Sequence, residues 1–326
     1  MELPSHEEVL AAVDSAGWLL EQQAARVLSG HGFATRPNWA FQDADEPSVS
    51  RELDVWSYKQ ILNDVESNLH VSVNVLVECK QSTTPYCAIG QELPEYRRIG
   101  NPTEHSLPVR FVPEKFDAQS GVLHYQYAWD AFEFREIAKR SGVSDFRATQ
   151  LTRFERKDKG RWVASNSGIF SGLTYPLAKA VRACQRGIHT GDYVFEMPRK
   201  PLPEIAKERG SAGIILRFPV ILISCPLYVV NAASEEPVVM NSDWVRLQRH
   251  LDSDLLKGIF EFDVVTREYF PRYIENQVLG MASGIAQAVS ASPYRYTGEA
   301  ADWWPPELSE GTNIFLKQRF PSSGFG

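Results

Sequence analysis

Four polar residues in the first quarter of the chain have the types and spacing for metal-assisted chemistry: Glu21 in WLLEQQAARVL, Asp54 in RELDV, and Glu78 and Lys80 in VSVNVLVECKQ. Carboxylates brought to one point repel one another unless a hard divalent cation lies among them, and ligation by oxygen alone suits Mg2+ or Mn2+. Such an ion polarises a carbonyl or phosphoryl oxygen and lowers the pKa of bound water so that it can attack. A lysine beside it, a compact point charge, orients that water or stabilises the developing charge. No nucleophilic side chain is needed.

The elements that must position these groups can be read around them. Alternation puts Val71, Val73, Val75, Val77 and Cys79 on one face of a strand and Ser72, Asn74, Leu76, Glu78 and Lys80 on the other, so Glu78 and Lys80 point the same way. Val75, Leu76 and Val77 make a run apolar on both faces, which fits a central strand. In RELDVWSY, Leu53 and Val55 are expected on one face and Glu52, Asp54 and Trp56 on the other. Glu21 falls beside the apolar stripe Gly17, Leu20, Ala24, Val27 and Leu28 of a helix spanning about 16 to 29, preceded by a short helix that Ser5 and Glu8 cap. Singly, each residue has a plain structural explanation: Glu21 a boundary residue that snorkels to solvent, Asp54 an edge position, Glu78 and Lys80 a solvated pair.

Together they give an order: a helix with Glu, a strand with Asp, a strand ending in Glu-x-Lys, then a helix and another buried strand. This order resembles the PD-(D/E)xK nuclease superfamily. The resemblance covers residues 14 to 81 by motif and 170 to 290 by topology alone. It implies a restriction-endonuclease-like α/β fold, a mixed central sheet flanked by helices, here with a large α+β insertion. It also implies that Asp54 and Glu78 hold Mg2+, with Mn2+ as substitute, that the Cys79 backbone carbonyl adds a ligand, and that Lys80 is the motif lysine. Glu21 matches the helix glutamate that supports the metal, and Gln81 takes a supporting role. Leu53 stands where the motif's proline would be.

Elsewhere, strands are expected over 33–41 and 260–265, one or two over 214–230, and a turn over 59–68. Helices are expected over 177–186, 203–209, 244–256 and 273–289. Residues 82–165 mix prolines, aromatics and charges without repeats. They are set apart as an insertion or subdomain, leaving a discontinuous core of 1–81 and 166–326. Within the insertion, strands are expected at HSLPVRFV and VLHYQYAW, a helix at DAFEFREIAKRSG and a hairpin at QLTRFERKDKGRWVASN.

The net charge of −7 argues against a protein that coats nucleic acid, though a basic groove on an acidic body is compatible with it. The four cysteines form no CxxC pair, so they signal neither a zinc knuckle nor a disulfide framework, and they read as reduced thiols of a cytoplasmic protein. The N-terminus lacks an unbroken apolar run, and the longest apolar stretch is too interrupted for a membrane span, so no membrane association is expected. No Walker, GxGxxG, HExxH or GxSxG pattern occurs. His70 and His124 sit in strand-like runs as packing or surface residues.

The expected activity is a Mg2+-dependent endonuclease, on DNA more than RNA, in a setting of restriction or phage defence. The alternative is an inactive nuclease fold serving as a nucleic-acid-binding or scaffold module. Arg51, Arg97, Arg98, Lys157 and Arg161 are candidates for phosphate contacts, with solvated surface charge as the plainer explanation. A homodimer would suit cutting of two strands.

Overall fold

The computed structural model describes residues 3–186, 212–293 and 296, except 44, 47, 68, 109, 118, 121, 158, 159 and 254. The helix expected over 203–209, and most of the tail beyond Ser292, lie outside these residues. Helix α1 (His6–Ser15) begins at a reciprocal cap, in which Ser5 Oγ accepts from the Glu8 N–H at 3.2 Å and Glu8 Oε2 accepts from the Ser5 N–H at 2.8 Å. Helix α2 (Trp18–Gly30) is entered through Gly17, whose φ of 89° only glycine adopts cheaply. Its buried face is Leu20, Ala24, Ala25 and Leu28.

Strands β1 (Ala34–Gln42), β2 (Ser50–Asp64) and β3 (Leu69–Lys80) form an antiparallel meander. The turn expected over 59–68 is shorter than the sequence suggests. Ile61 and Leu62 pack on the core and keep β2 extended to Asp64, whose Oδ1 accepts from the Glu66 and Ser67 N–H groups to close the bend. Leu53 and Val55, expected on one face, join different core layers. The β1–β2 register pairs Pro37 with Val55 and Trp39 with Leu53, and between them Asn38 takes a φ of 52°, a local irregularity opposite Asp54.

Residues 82–165 supply β4 (Tyr86–Glu92), α3 (Glu95–Arg98), β5 (Phe111–Asp117), β6 (Val122–Tyr127), α4 (Ala128–Ala131), α5 (Phe134–Arg140), β7 (Phe146–Arg156) and β8 (Trp162–Ser165). A π-turn at Phe170–Thr174 leads into α6 (Tyr175–Arg186). Then come β9 (Ala212–Ile223), β10 (Leu227–Asn231), β11 (Val238–Ser242), β12 (Trp244–Asp252) and β13 (Lys257–Thr266). The chain continues through α7 (Phe270–Tyr273), a π-turn at Ile274–Leu279 and α8 (Gly280–Ala291).

Among the described residues the fold is a mixed α/β arrangement on one 11-stranded sheet, in the order β1-β2-β3-β9-β13-β12-β7-β4-β10-β11, with β8 paired to β7. Segment 82–165 therefore contributes β4, β7 and β8 to this sheet, and its β5–β6 hairpin stands apart. Strand β9 is parallel to β3 along its whole length, from Leu69 with Ala212 to Lys80 with Ile223, and β13 is parallel to β9. One face of β3 (Val71, Val73, Val75, Val77) packs in a layer with α2, α5 and α8; Leu76 on the other face packs in a layer with α6. Full burial of each such valine is worth about 1.5–3 kcal/mol, which suits β3 to an interior position, paired on both sides by β2 and β9.

The helix expected over 244–256 is a strand instead. Trp244, Leu247 and Leu251 fit a helical stripe, but Val245, Leu247 and Leu251 also fit an inward strand face, and pairing along β13 decides. The polar residues between them are not a solvated helix face. Arg246 lies opposite Asp263 and Gln248 opposite Glu261, and each bonds its partner across the ladder.

Candidate active site

Strands β3, β9 and β13 run parallel and end at one edge of the sheet, a position where open α/β sheets commonly bind ligands. The β2–β3 ladder stops at Val55 and Val77, so Asp54 and Glu78 are the next opposed positions. In place of a further ladder bond, the Cys79 N–H donates to Asp54 Oδ2 at 2.6 Å. That bond fixes the Asp54 carboxylate against the end of β3. Two residues on, Lys80 Nζ donates to Glu78 Oε1 at 2.8 Å, with 34% and 13% of the two side chains exposed.

Electrostatics bind the sequence-predicted residues into one site. Burial, then the Asp54 carboxylate, pushes Glu78 up to about 7 despite the opposing pull of Lys80. Burial raises Asp54 as well, against the Cys79 N–H and Lys80. Glu21, in the first turn of α2, is raised by burial and by the fields of Asp54 and Glu52. Burial would lower Lys80, but its bond and field contacts with Glu78, followed by Asp54, carry it above its ordinary value. The Cys79 thiol is pushed far up, first by burial and then by Asp54, so it is no nucleophile. The structure thus brings Glu21, Asp54, Glu78 and Lys80 into mutual range.

Gln81 is half-buried, and its Oε1 has no hydrogen-bond partner. A Cβ on Gly17 would lie 3.4 Å from the Gln81 Cβ, so the N-terminus of α2 rests against the residue after the lysine. Among the described residues, no three His, Cys, Asp or Glu side chains gather closely enough to form a ready-made metal cage. The donor set is a sparser one: the carboxylates of Asp54 and Glu78 and the carbonyl of Cys79, the residue between Glu78 and Lys80. Mg2+ is ordinarily held by one or two carboxylates with water completing its shell, and carboxyls raised first by burial and then by neighbouring carboxylates are relieved by a cation, so the chemistry of these residues fits Mg2+ or Mn2+.

The other candidates lie elsewhere. Arg51 pairs with Asp43 at 2.5 Å and Arg98 with Asp145 at 2.7 Å, while Arg97, Lys157 and Arg161 are exposed. His70 packs against Gly213, where an added Cβ would meet its ring at 2.4 Å, and His124 is exposed. The four cysteines are buried and free. Two groups at the site carry no motif. The Ser224 N–H donates to the Lys80 carbonyl at 3.2 Å, and Arg267 ties β9 to α2 through the Ile223 carbonyl (2.8 Å) and Gln23 Oε1 (2.5 Å). Only the pairing of β9 beside β3 brings them in, and sequence spacing does not encode that pairing. No helix among the described residues is long and apolar enough to cross a membrane. No family model, curated protein or solved structure matches the chain.

Proposed function

We propose that this protein is a divalent-metal-dependent nuclease hydrolysing phosphodiester bonds, in DNA rather than RNA, built on a restriction-endonuclease-like core. The observation that carries the reading is the convergence of Asp54, Glu78 and Lys80 at one strand end, with Glu21 on the helix beside it. The element order supports it: α2 with Glu21, β2 with Asp54, β3 ending in Glu78 and Lys80, then helix α6 and the buried strand β9 follow one another in the order on which the PD-(D/E)xK resemblance rests. Asp54, Glu78 and the Cys79 carbonyl would hold Mg2+ or Mn2+. The bound ion supplies Lewis-acid polarisation of the phosphodiester and a low-pKa water.

The chain's own groups have distinct tasks. The Cys79 N–H orients Asp54. Glu78 holds Lys80 protonated and aimed, so that its ammonium stabilises charge on the phosphoryl oxygens. Glu21 adds negative potential that favours the cation. The test is a panel of duplex DNA, single-stranded DNA and RNA with Mg2+, Mn2+ or chelator, run beside Asp54→Asn and Lys80→Ala. Chelator-sensitive cleavage lost in both variants is expected; no cleavage of any substrate in either metal would overturn the reading. The second reading, a nuclease fold without turnover, is favoured by the absence of a three-ligand cage among the described residues. Calorimetric titration with Mg2+ separates the two, because a scaffold has no reason to bind the ion at Asp54 and Glu78.

A further inference from the structure

The 11-stranded sheet has one weak seam. Strands β12 and β7 pair only at Leu247 and Ala148, whereas β12 pairs β13 along its length and β7 pairs β4 from Phe146 to Arg153. The seam divides β1-β2-β3-β9-β13-β12 from β7-β4-β10-β11. A cavity of about 100 Å3 opens over it, with room well beyond one water and no residue in common with the site at Asp54 and Glu78.

Its floor is a network of buried charges from both sides of the seam. Arg147 on β7 donates to Glu261 on β13 at 2.5 Å, and Glu261 also accepts from Gln248 at 3.2 Å and Arg246 at 3.4 Å, both on β12. Arg246 is further held by both Asp263 oxygens at 2.8 Å. The floor is therefore balanced, two guanidinium groups against two carboxylates.

The rim is not. Arg97, Arg98, Arg135 and Lys139 line it. Arg135 has its own partner in Asp130, but Arg98 and Lys139 share Asp145, at 2.7 and 3.6 Å. The second Lys139 pairing, to Glu136 at 3.3 Å, is half-exposed and weak. Arg97 is exposed and has no ion-pair partner among the described residues. In a chain of net charge −7 this is a local reversal of sign, and a cleft with apolar walls focuses such a field. The walls include Ile99 and Ile259, 57% and 45% exposed, which leaves apolar surface beside the cations for the body of a ligand.

We propose that this cavity binds a small phosphomonoester, its phosphoryl group toward Arg97, Arg98 and Lys139 and its body against Ile99 and Ile259, and that the bound molecule clamps the two halves of the sheet. The site does not depend on the nuclease reading, and its test needs no cleavage. Isothermal titration of the full chain with adenosine 5′-monophosphate, pyrophosphate and inorganic phosphate is expected to show sub-millimolar binding of the monoester. The double substitution Arg97→Ala and Lys139→Ala, at side chains that hold no core contact, should weaken it about tenfold, whereas Lys157→Ala with Arg161→Ala, on the β7–β8 turn, should leave it unchanged. Amide exchange at Ala148 and Leu247 should slow on binding. Absence of heat with all three probes, equal weakening in the control pair, or binding of oligonucleotides but of none of the small probes would each overturn the proposal.

Discussion

Glu78 is under opposing demands: Lys80 favours its ionised form, while burial and Asp54 return its proton, and the outcome is a carboxyl at about 7 against an ordinary 4.5. The sign of the pH effect follows. A folded-state pKa above the unfolded one contributes stability that is fully present below about 4.5 and lost as pH rises through about 7. The net shift, in which the pull of Lys80 is already included, corresponds to roughly 3 kcal/mol. Metal-free protein should therefore lose Tm between pH 5 and 8 relative to Glu78→Gln, and added Mg2+ should restore more of it at pH 8 than at pH 5. Parallel Tm curves for the two proteins across that range would contradict this. Asp54→Asn keeps the shape and the acceptor for the Cys79 N–H but removes the charge, so cleavage should fall by about 1,000-fold or more with circular dichroism unchanged.

Among the elements, α2 and β12 show what local pattern can and cannot convey. Glu21, Asp54, Glu78 and Lys80 were legible because strand and helix periodicities place each without reference to distant chain. Leu20, Ala24 and Leu28 follow the expected stripe, and Ile274, Val278, Met281 and Ile285 are buried within the segment expected as a helix over 273–289. In β12 the same logic fails, because Arg246 and Gln248 mark a helix's polar face unless Asp263 and Glu261 are known to lie opposite, 17 and 13 residues away. Gly17 is a second feature without a motif. Its φ of 89° and its approach to Gln81 set where α2 begins, and hence where Glu21 stands. Gly17→Ala should cost about 1–2 kcal/mol in urea unfolding and lower kcat more than it raises KM. An unchanged midpoint with full activity would show that α2 does not need this entry.

At the scale of the whole molecule, the sheet joins two sets of strands whose contact the sequence gives no means to anticipate. The meander β1-β2-β3 is local, and its order can be read from adjacent segments. Joining β7 to β12 links Ala148 with Leu247, and Arg147 with Glu261, across more than 90 residues, and no periodicity reports a pairing at that distance. For that reason segment 82–165 reads as an insertion although β4 and β7 are strands of the main sheet. With one ladder position between β7 and β12, the Arg147–Glu261 pair carries much of the joint, since Arg147 also donates to the Ser144 and Phe146 carbonyls at 2.6 and 2.9 Å. Removing one partner of a buried ion pair leaves the other charge uncompensated and costs about 3–5 kcal/mol. Glu261 would retain Arg246 and Gln248, so Arg147→Met should fall at the lower end, about 3 kcal/mol. The loss should come with a reduced m-value, as β7-β4-β10-β11 opens before the remainder. Amide exchange should quicken at Cys87 and Leu151, which lie beyond the seam, and stay slow at Val75 and Phe218. Uniform acceleration across all four positions would mean that the sheet opens as one unit and that the single bridge at Ala148 and Leu247 is no weaker than the ladders around it.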